Sequence, residues 1–168
     1  MCFIVKAEVS MSILDVFPLL EEVERTMAKF YLWLSLKFDK NDVAAWLFYK
    51  AHLEEKEHLG LLQFAQRYVE KHNKTFPVMQ HIQLDTEAIE HMKNTVEETM
   101  NRRKISFTDA LEIAVQLEDA MKEKVLFNLI SETHPFISRL FNALSEDHSS
   151  ELRDYLHAAK TMNGAKND

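Results

Sequence analysis

Only two glycines and three prolines punctuate the 168 residues of this chain, and one of the glycines, Gly164, lies near its C-terminal end. Glycine and proline are the residues that break helices, so a chain this poor in both is constrained to long uninterrupted helices. Apolar residues recur at intervals of three and four through most of it, the period of a helix with one buried face. The fold class this predicts is all-α. With 46% hydrophobic residues at this length, one domain with a substantial core is expected.

Ser12 and Asp15 have the spacing of a capping box and open a first helix. Its inward stripe is Phe17, Leu20, Glu24, Met27, Tyr31, Leu34 and Phe38; Pro18 falls in the first turns, where a missing N–H costs little. After FDKND, a second helix is predicted over about residues 42–71, along Leu47, Ala51, Glu55, His58, Leu62, Ala65 and Val69. SFTD, with Ser106 and Asp109 paired, caps a third helix with Leu111, Ala114, Glu118, Met121 and Val125 inward. A fourth follows ETHP, with Pro135 near its first position. Its inward residues are Phe141, Leu144, His148, Leu152 and Tyr155, with Ser145 on the same side.

The 35 residues at 73–107 are too many for a structureless loop. Within them Asp85 caps a segment carrying Ile89, Met92, Val96 and Met100 at helical spacing, which predicts a short fifth helix near 85–101. Tight turns make each helix pair antiparallel. A long crossover between two antiparallel hairpins is the connectivity of a ferritin-like four-helix bundle. The expected domain plan is a tail at 1–11, the bundle at 12–163 and a tail at 164–168. Residues 1–10 lack a helical period and Met11 reads as a more natural start, so this stretch is expected to be a tail or an over-long gene start.

A formal net charge of −7 gives nucleic-acid binding little electrostatic support, and the NRRK knot at 101–104 reads as solvated surface. No apolar run approaches the ~20 residues needed to cross a bilayer. CFIV is too short for a signal-peptide core, so no membrane association and a cytoplasmic location are expected. Cys2 is the only cysteine, which excludes internal disulfides, iron–sulfur clusters and CxxC metal clips. Exposure of Trp33 and Trp46 would point to a homodimer.

The two halves of the chain repeat. VERTM at 23–27 aligns with LEDAM at 117–121, placing Glu24 on Glu118; LEEKEH at 53–58 aligns with ALSEDH at 143–148, placing His58 on His148 and Glu55 on Ser145. Glu24, Glu55 and Glu118 thus sit on apolar stripes, where a buried carboxylate must find a cation or take up a proton. Glu55 and His58, at i and i+3, share a face and can reach one metal. A Glu from each of two helices plus a Glu-x-x-His from each of the other two is the ligand set of di-iron carboxylate bundles. Five of its six positions are filled here, by Glu24, Glu55, His58, Glu118 and His148, and the sixth is Ser145. Singly, each is an ordinary edge glutamate or hydrogen-bonded histidine. Together, in register, they predict a metal site.

ExxxxxFY (Glu24 to Phe30–Tyr31), EExxH (Glu54 to His58) and AxxLE (Ala114 to Glu118) resemble the rubrerythrin branch of the ferritin-like superfamily, over about residues 12–160. The resemblance implies a pair of irons in the bundle. Glu24 and Glu118 would be terminal ligands, Glu55 a bridge, and His58 and His148 would each bind one iron. It also implies a di-iron oxidoreductase of peroxidase or ferroxidase type, acting on peroxide or dioxygen. The rubredoxin-like domain with four cysteines is lacking, so electrons would come from a separate donor protein. Ser145 stands where the family has its other bridging carboxylate. Three carboxylates leave a surplus positive charge on two divalent irons. That leaves open a solvent-derived bridging anion, a single or mixed metal site, or Glu151 as a substitute, with Glu54 a weaker one. The same donors accept Fe, Mn and Zn. Tyr31, ~10 Å from Glu24 along the axis, is either a redox relay or a packed core tyrosine. A non-catalytic iron-binding or sensing protein, and an interaction module with a degenerate site, are the alternative functions.

Overall fold

The structure, a computed structural model, describes residues 9–72, 82–121, 139 and 149–164. Helix α1 (Ile13–Lys37) starts at the expected capping box: Asp15 N–H donates to Ser12 Oγ and Ser12 N–H to Asp15 Oδ2, each at 3.3 Å. Pro18 lies in the second turn of the helix, within the first turns as expected, but its missing N–H is not free of cost there. As the sixth helical residue it forgoes a bond to the Leu14 carbonyl, since only the first four N–H groups of a helix lack partners anyway.

Helix α2 (Asp42–Lys71) follows after a short turn and is capped by Asn41, whose Oδ1 accepts from Ala44 N–H at 3.2 Å. The two helices run antiparallel, because partner numbers fall in one as they rise in the other. The Ser35 hydroxyl donates to the Ala45 carbonyl at 2.9 Å, His52 Nδ1–H to the Ala28 carbonyl at 2.8 Å, and His58 meets Glu24. The expected stripes are the core: Phe17, Leu20, Met27, Tyr31 and Leu34 from α1 are buried in one cluster with Leu47, Ala51, Leu62, Ala65 and Val69 from α2.

The segment between α2 and the next long helix holds α3 (Thr86–Met100), capped by Asp85 through a 2.9 Å bond from Ala88 N–H. The helix predicted near 85–101 is present, and it buries Ile89, Met92 and Val96 as its spacing requires. Just before it, strand β2 (Ile82–Leu84) pairs antiparallel with strand β1 (Val9–Met11), Val9 opposite Leu84 and Met11 opposite Ile82. The all-helical expectation is therefore met apart from this ribbon, and residues 9–11 of the expected tail are pinned to the crossover. Three-residue strands are too short to show a period of two, and their partners are remote in sequence.

Helix α4 (Phe107–Met121) begins at Ser106, whose Oγ accepts from Asp109 N–H at 3.1 Å. Phe107 at its start meets Phe38 beyond the end of α1 (ring centroids 5.7 Å apart) and Phe48 near the start of α2 (6.0 Å). Glu118 near its end meets Tyr31 in α1. So α4 is antiparallel to α1 and parallel to α2, and a parallel successor needs a crossover. Helix α5 (Ser149–Gly164) runs antiparallel to α4, with Arg153 on Asp119 and Lys160 on Glu112. The rest of the predicted fourth helix, with Phe141, Leu144, Ser145 and His148, lies outside the described residues. No helix among the described residues is long and apolar enough to cross a membrane.

Candidate metal centre

Glu24 on α1 and Glu55 and His58 on α2 occupy core-facing positions of two antiparallel helices at the same height, so their side chains converge across the seam. Glu24 is 5% exposed and Glu55 7%. His58 Nδ1 lies 3.5 Å from Glu24 Oε2 and 3.4 Å from Glu55 Oε2, and one donor atom from each of the three falls within 4.8 Å of the others. The two carboxyl groups also share a hydrogen bond, donated by Glu55 to Glu24.

What these carboxylates lack matters as much. Glu21, one turn before Glu24 and also buried, has the Arg25 guanidinium at 2.7 Å. Among the described residues, the basic group within 4 Å of Glu24 or Glu55 is the His58 imidazole alone. Burial pushes Glu24 up to about 7, with the Glu118 charge adding and the hydrogen bond from Glu55 opposing. Burial likewise pushes Glu55 up to about 8, reinforced by the charge of Glu24 and the proton shared with it and opposed by His58. Burial alone would lower His58, but its hydrogen bond to Glu55 and the charges of Glu55, Glu118 and Glu54 raise it overall. At neutral pH the centre holds protons where a cation of higher charge would serve better.

Glu118 lies beside this triad. Tyr31, fully buried, donates its hydroxyl hydrogen to Glu118 Oε1 at 2.6 Å. Burial first, and then the charges of Glu118 and Glu55, hold the Tyr31 phenol well above its ordinary pKa, so it stays a donor. Of the five predicted ligands, the structure brings Glu24, Glu55 and His58 into one group and sets Glu118 near enough for its charge to act on Glu24 and His58. His148 lies outside the described residues, as does Ser145. Glu151, weighed as a substitute ligand, is engaged elsewhere: it forms an ion pair with Lys50 at 2.5 Å. Glu54 is 3.9 Å from the same lysine.

The Tyr31–Glu118 bond was in neither sequence reading of Tyr31. The signal that could have found it is simple. A stripe tyrosine must satisfy its hydroxyl inside the core, and the polar groups at hand there are the stripe carboxylates.

No protein-family model, no curated protein and no solved structure matches this chain. Its chemistry is therefore argued from the donors themselves. Ligands bound to one ion at ~2.1 Å lie at most ~4.2 Å apart, and the His58–carboxylate distances of 3.4 and 3.5 Å already satisfy that limit. Carboxylate oxygen and imidazole nitrogen suit a divalent first-row metal. Buried acids with no lysine or arginine in reach among the described residues have the need for one. The group fits.

Proposed function

We propose that the chain is a ferritin-like iron protein of rubrerythrin type that carries out redox chemistry with peroxide or dioxygen, two irons per chain being the leading stoichiometry. The observation that carries this reading is the pair of buried carboxylates around His58, raised in pKa and without a guanidinium or ammonium partner among the described residues. The two antiparallel hairpins, with a helix-bearing crossover that leaves α4 parallel to α2, support the ferritin-like part. In this reading Glu24, Glu55 and His58 hold one iron, and Glu118 and His148 complete the site for the second. Bound iron would supply the one-electron chemistry that side chains lack.

The chain's own residues then have definite tasks. Glu55 and Glu24 give up their protons as the metal enters, as ligands must. Tyr31 orients Glu118 by its hydroxyl bond. The apolar stripes of α1 and α2 keep bulk water from the centre. A separate donor protein would supply electrons to the loaded centre, and a small-molecule oxidant would accept them.

A second reading is a non-catalytic protein that holds or senses a single metal. It is favoured by the triad itself, which comprises the protein ligands of one ion, and by Ser145 at the sixth position. Metal analysis of protein purified from its native host, with peroxide consumption measured on the same sample, separates the two. About two irons per chain with iron-dependent consumption supports the first; one metal without consumption supports the second. No metal at all would leave an interaction module with a degenerate site.

A further inference from the structure

The face of α2 turned away from its core stripe carries Trp46, Tyr49, Leu53, Gly60 and Phe64 at intervals of three, four, seven and four. Trp46 is 64% exposed and Phe64 52%. A row of large apolar side chains on a solvent face marks an interaction surface. Gly60 in the middle of that row is the more telling residue. Glycine is the poorest helix former after proline, and a Cβ built at Gly60 would meet nothing within 4 Å. Among the described residues nothing packs against that position. A missing side chain on the outer face serves something that approaches closely from outside.

We propose that this face is a homodimer interface, with α2 packed antiparallel on the same helix of a second copy about a two-fold axis between Lys56 and Glu57. In that register Leu53 lies over the partner's Gly60, which supplies the close approach. Tyr49 meets the partner's Phe64, and Trp46 meets the partner's Arg67 in a cation–π contact. Lys56 faces the partner's Glu57, and Asp42 faces the partner's Lys71. Each contact occurs twice, as an isologous interface demands. The charges select the register. A shift of one residue in either direction sets Lys56 on its own copy or Glu57 on its own copy, like charges on the axis. Trp33, the other tryptophan, belongs to a different surface: it stacks on Phe30 and lies under the Lys37 ammonium.

The test is analytical ultracentrifugation of the full chain from ~1 to ~100 µM, a range that brackets the affinity of ordinary homodimers. The wild type is expected to be a dimer. Lys56→Glu and Glu57→Lys should each weaken it by about tenfold or more, and the double variant should recover to within about threefold of wild type. Gly60→Gln should abolish the dimer, and at concentrations where the wild type is itself monomeric it should keep or raise the thermal midpoint, since glutamine is the better helix former. Circular dichroism confirms that each variant is folded. A wild type that is monomeric at the top concentration overturns the proposal. So does a dimer indifferent to Gly60→Gln, or single charge reversals that the double variant fails to rescue.

Discussion

Replacing Glu55 by glutamine in the metal-free protein should stabilise it, by an amount that grows with pH. The carboxyl of Glu55 is pushed up to about 8 from an ordinary 4.5, by burial first and then by Glu24. The folded chain therefore holds a proton that the unfolded chain releases. Stability tied to that proton is complete below the unfolded value and is lost as pH rises through the folded one. Linkage for one such group gives a loss of about 1 kcal/mol at pH 5, about 3 at pH 7 and nearly 5 at pH 9. Glutamine cannot ionise, has almost the same shape, and can donate an N–H to Glu24 where protonated Glu55 donates its O–H. The variant should therefore exceed the wild type by about 3 kcal/mol at pH 7, with a pH slope flatter by up to about 1.4 kcal/mol per unit. Urea unfolding followed by the helical circular-dichroism signal, with chelator present, reads this at pH 5, 7 and 8. A Glu55→Gln protein no more stable than wild type at pH 7 and 8 would refute the account of an electrostatically strained centre.

Metal loading should release up to three protons below pH 7, because Glu24 and Glu55, raised to about 7 and about 8, must both ionise and His58, raised above its ordinary value, must give up its imidazolium proton. Calorimetry in buffers of different ionisation enthalpy measures that release, and affinity independent of pH between 6 and 8 would contradict it. Tyr31→Phe removes a buried hydroxyl that donates to Glu118 at 2.6 Å, and should cost about 1–3 kcal/mol in metal-free unfolding; an unchanged midpoint would mean that the bond contributes nothing. Ser145→Glu should raise iron affinity or stoichiometry, with Ser145→Ala nearly neutral, if the serine replaces a lost ligand; weaker binding in Ser145→Glu defeats that idea. Glu24→Ala should abolish tight binding of the first metal equivalent, whereas Glu118→Ala should chiefly weaken the second; equal losses in a two-step titration would count against an unequal pair of sites.

The helices were legible because their signals are local. Caps at Ser12, Asp85 and Ser106 and stripes such as Leu47–Ala51–Glu55 depend on residues a turn apart, and each is where its spacing put it. The β1–β2 ribbon was not legible, since what holds Val9–Met11 is a hydrogen-bonded partner far along the chain. Within the site, spacing singled out Glu24, Glu55 and His58, but gave no sign that Glu21 is buried as well as Glu24. Both are buried glutamates of α1, and the neighbouring Arg25 turns toward Glu21. Which acid keeps a cation is settled by side-chain direction around the helix, which the one-dimensional pattern carries only weakly.

That difference bears on how the centre is built. All three members of the triad come from α1 and α2, two helices adjacent in sequence and joined by a short turn. The packing of one hairpin is thus enough to bring them together, with little loop to order. The repeat-related half begins from a weaker position. Glu118 accepts the Tyr31 hydroxyl hydrogen, and Ser145 carries a hydroxyl where Glu55 carries a carboxylate. Duplication of a hairpin supplies matching backbone positions, but charge at those positions sets affinity, because each anionic ligand lost leaves a dication less compensated at short range. In the proposed reading the N-terminal hairpin would therefore govern whether metal binds at all, and the C-terminal hairpin how many ions follow.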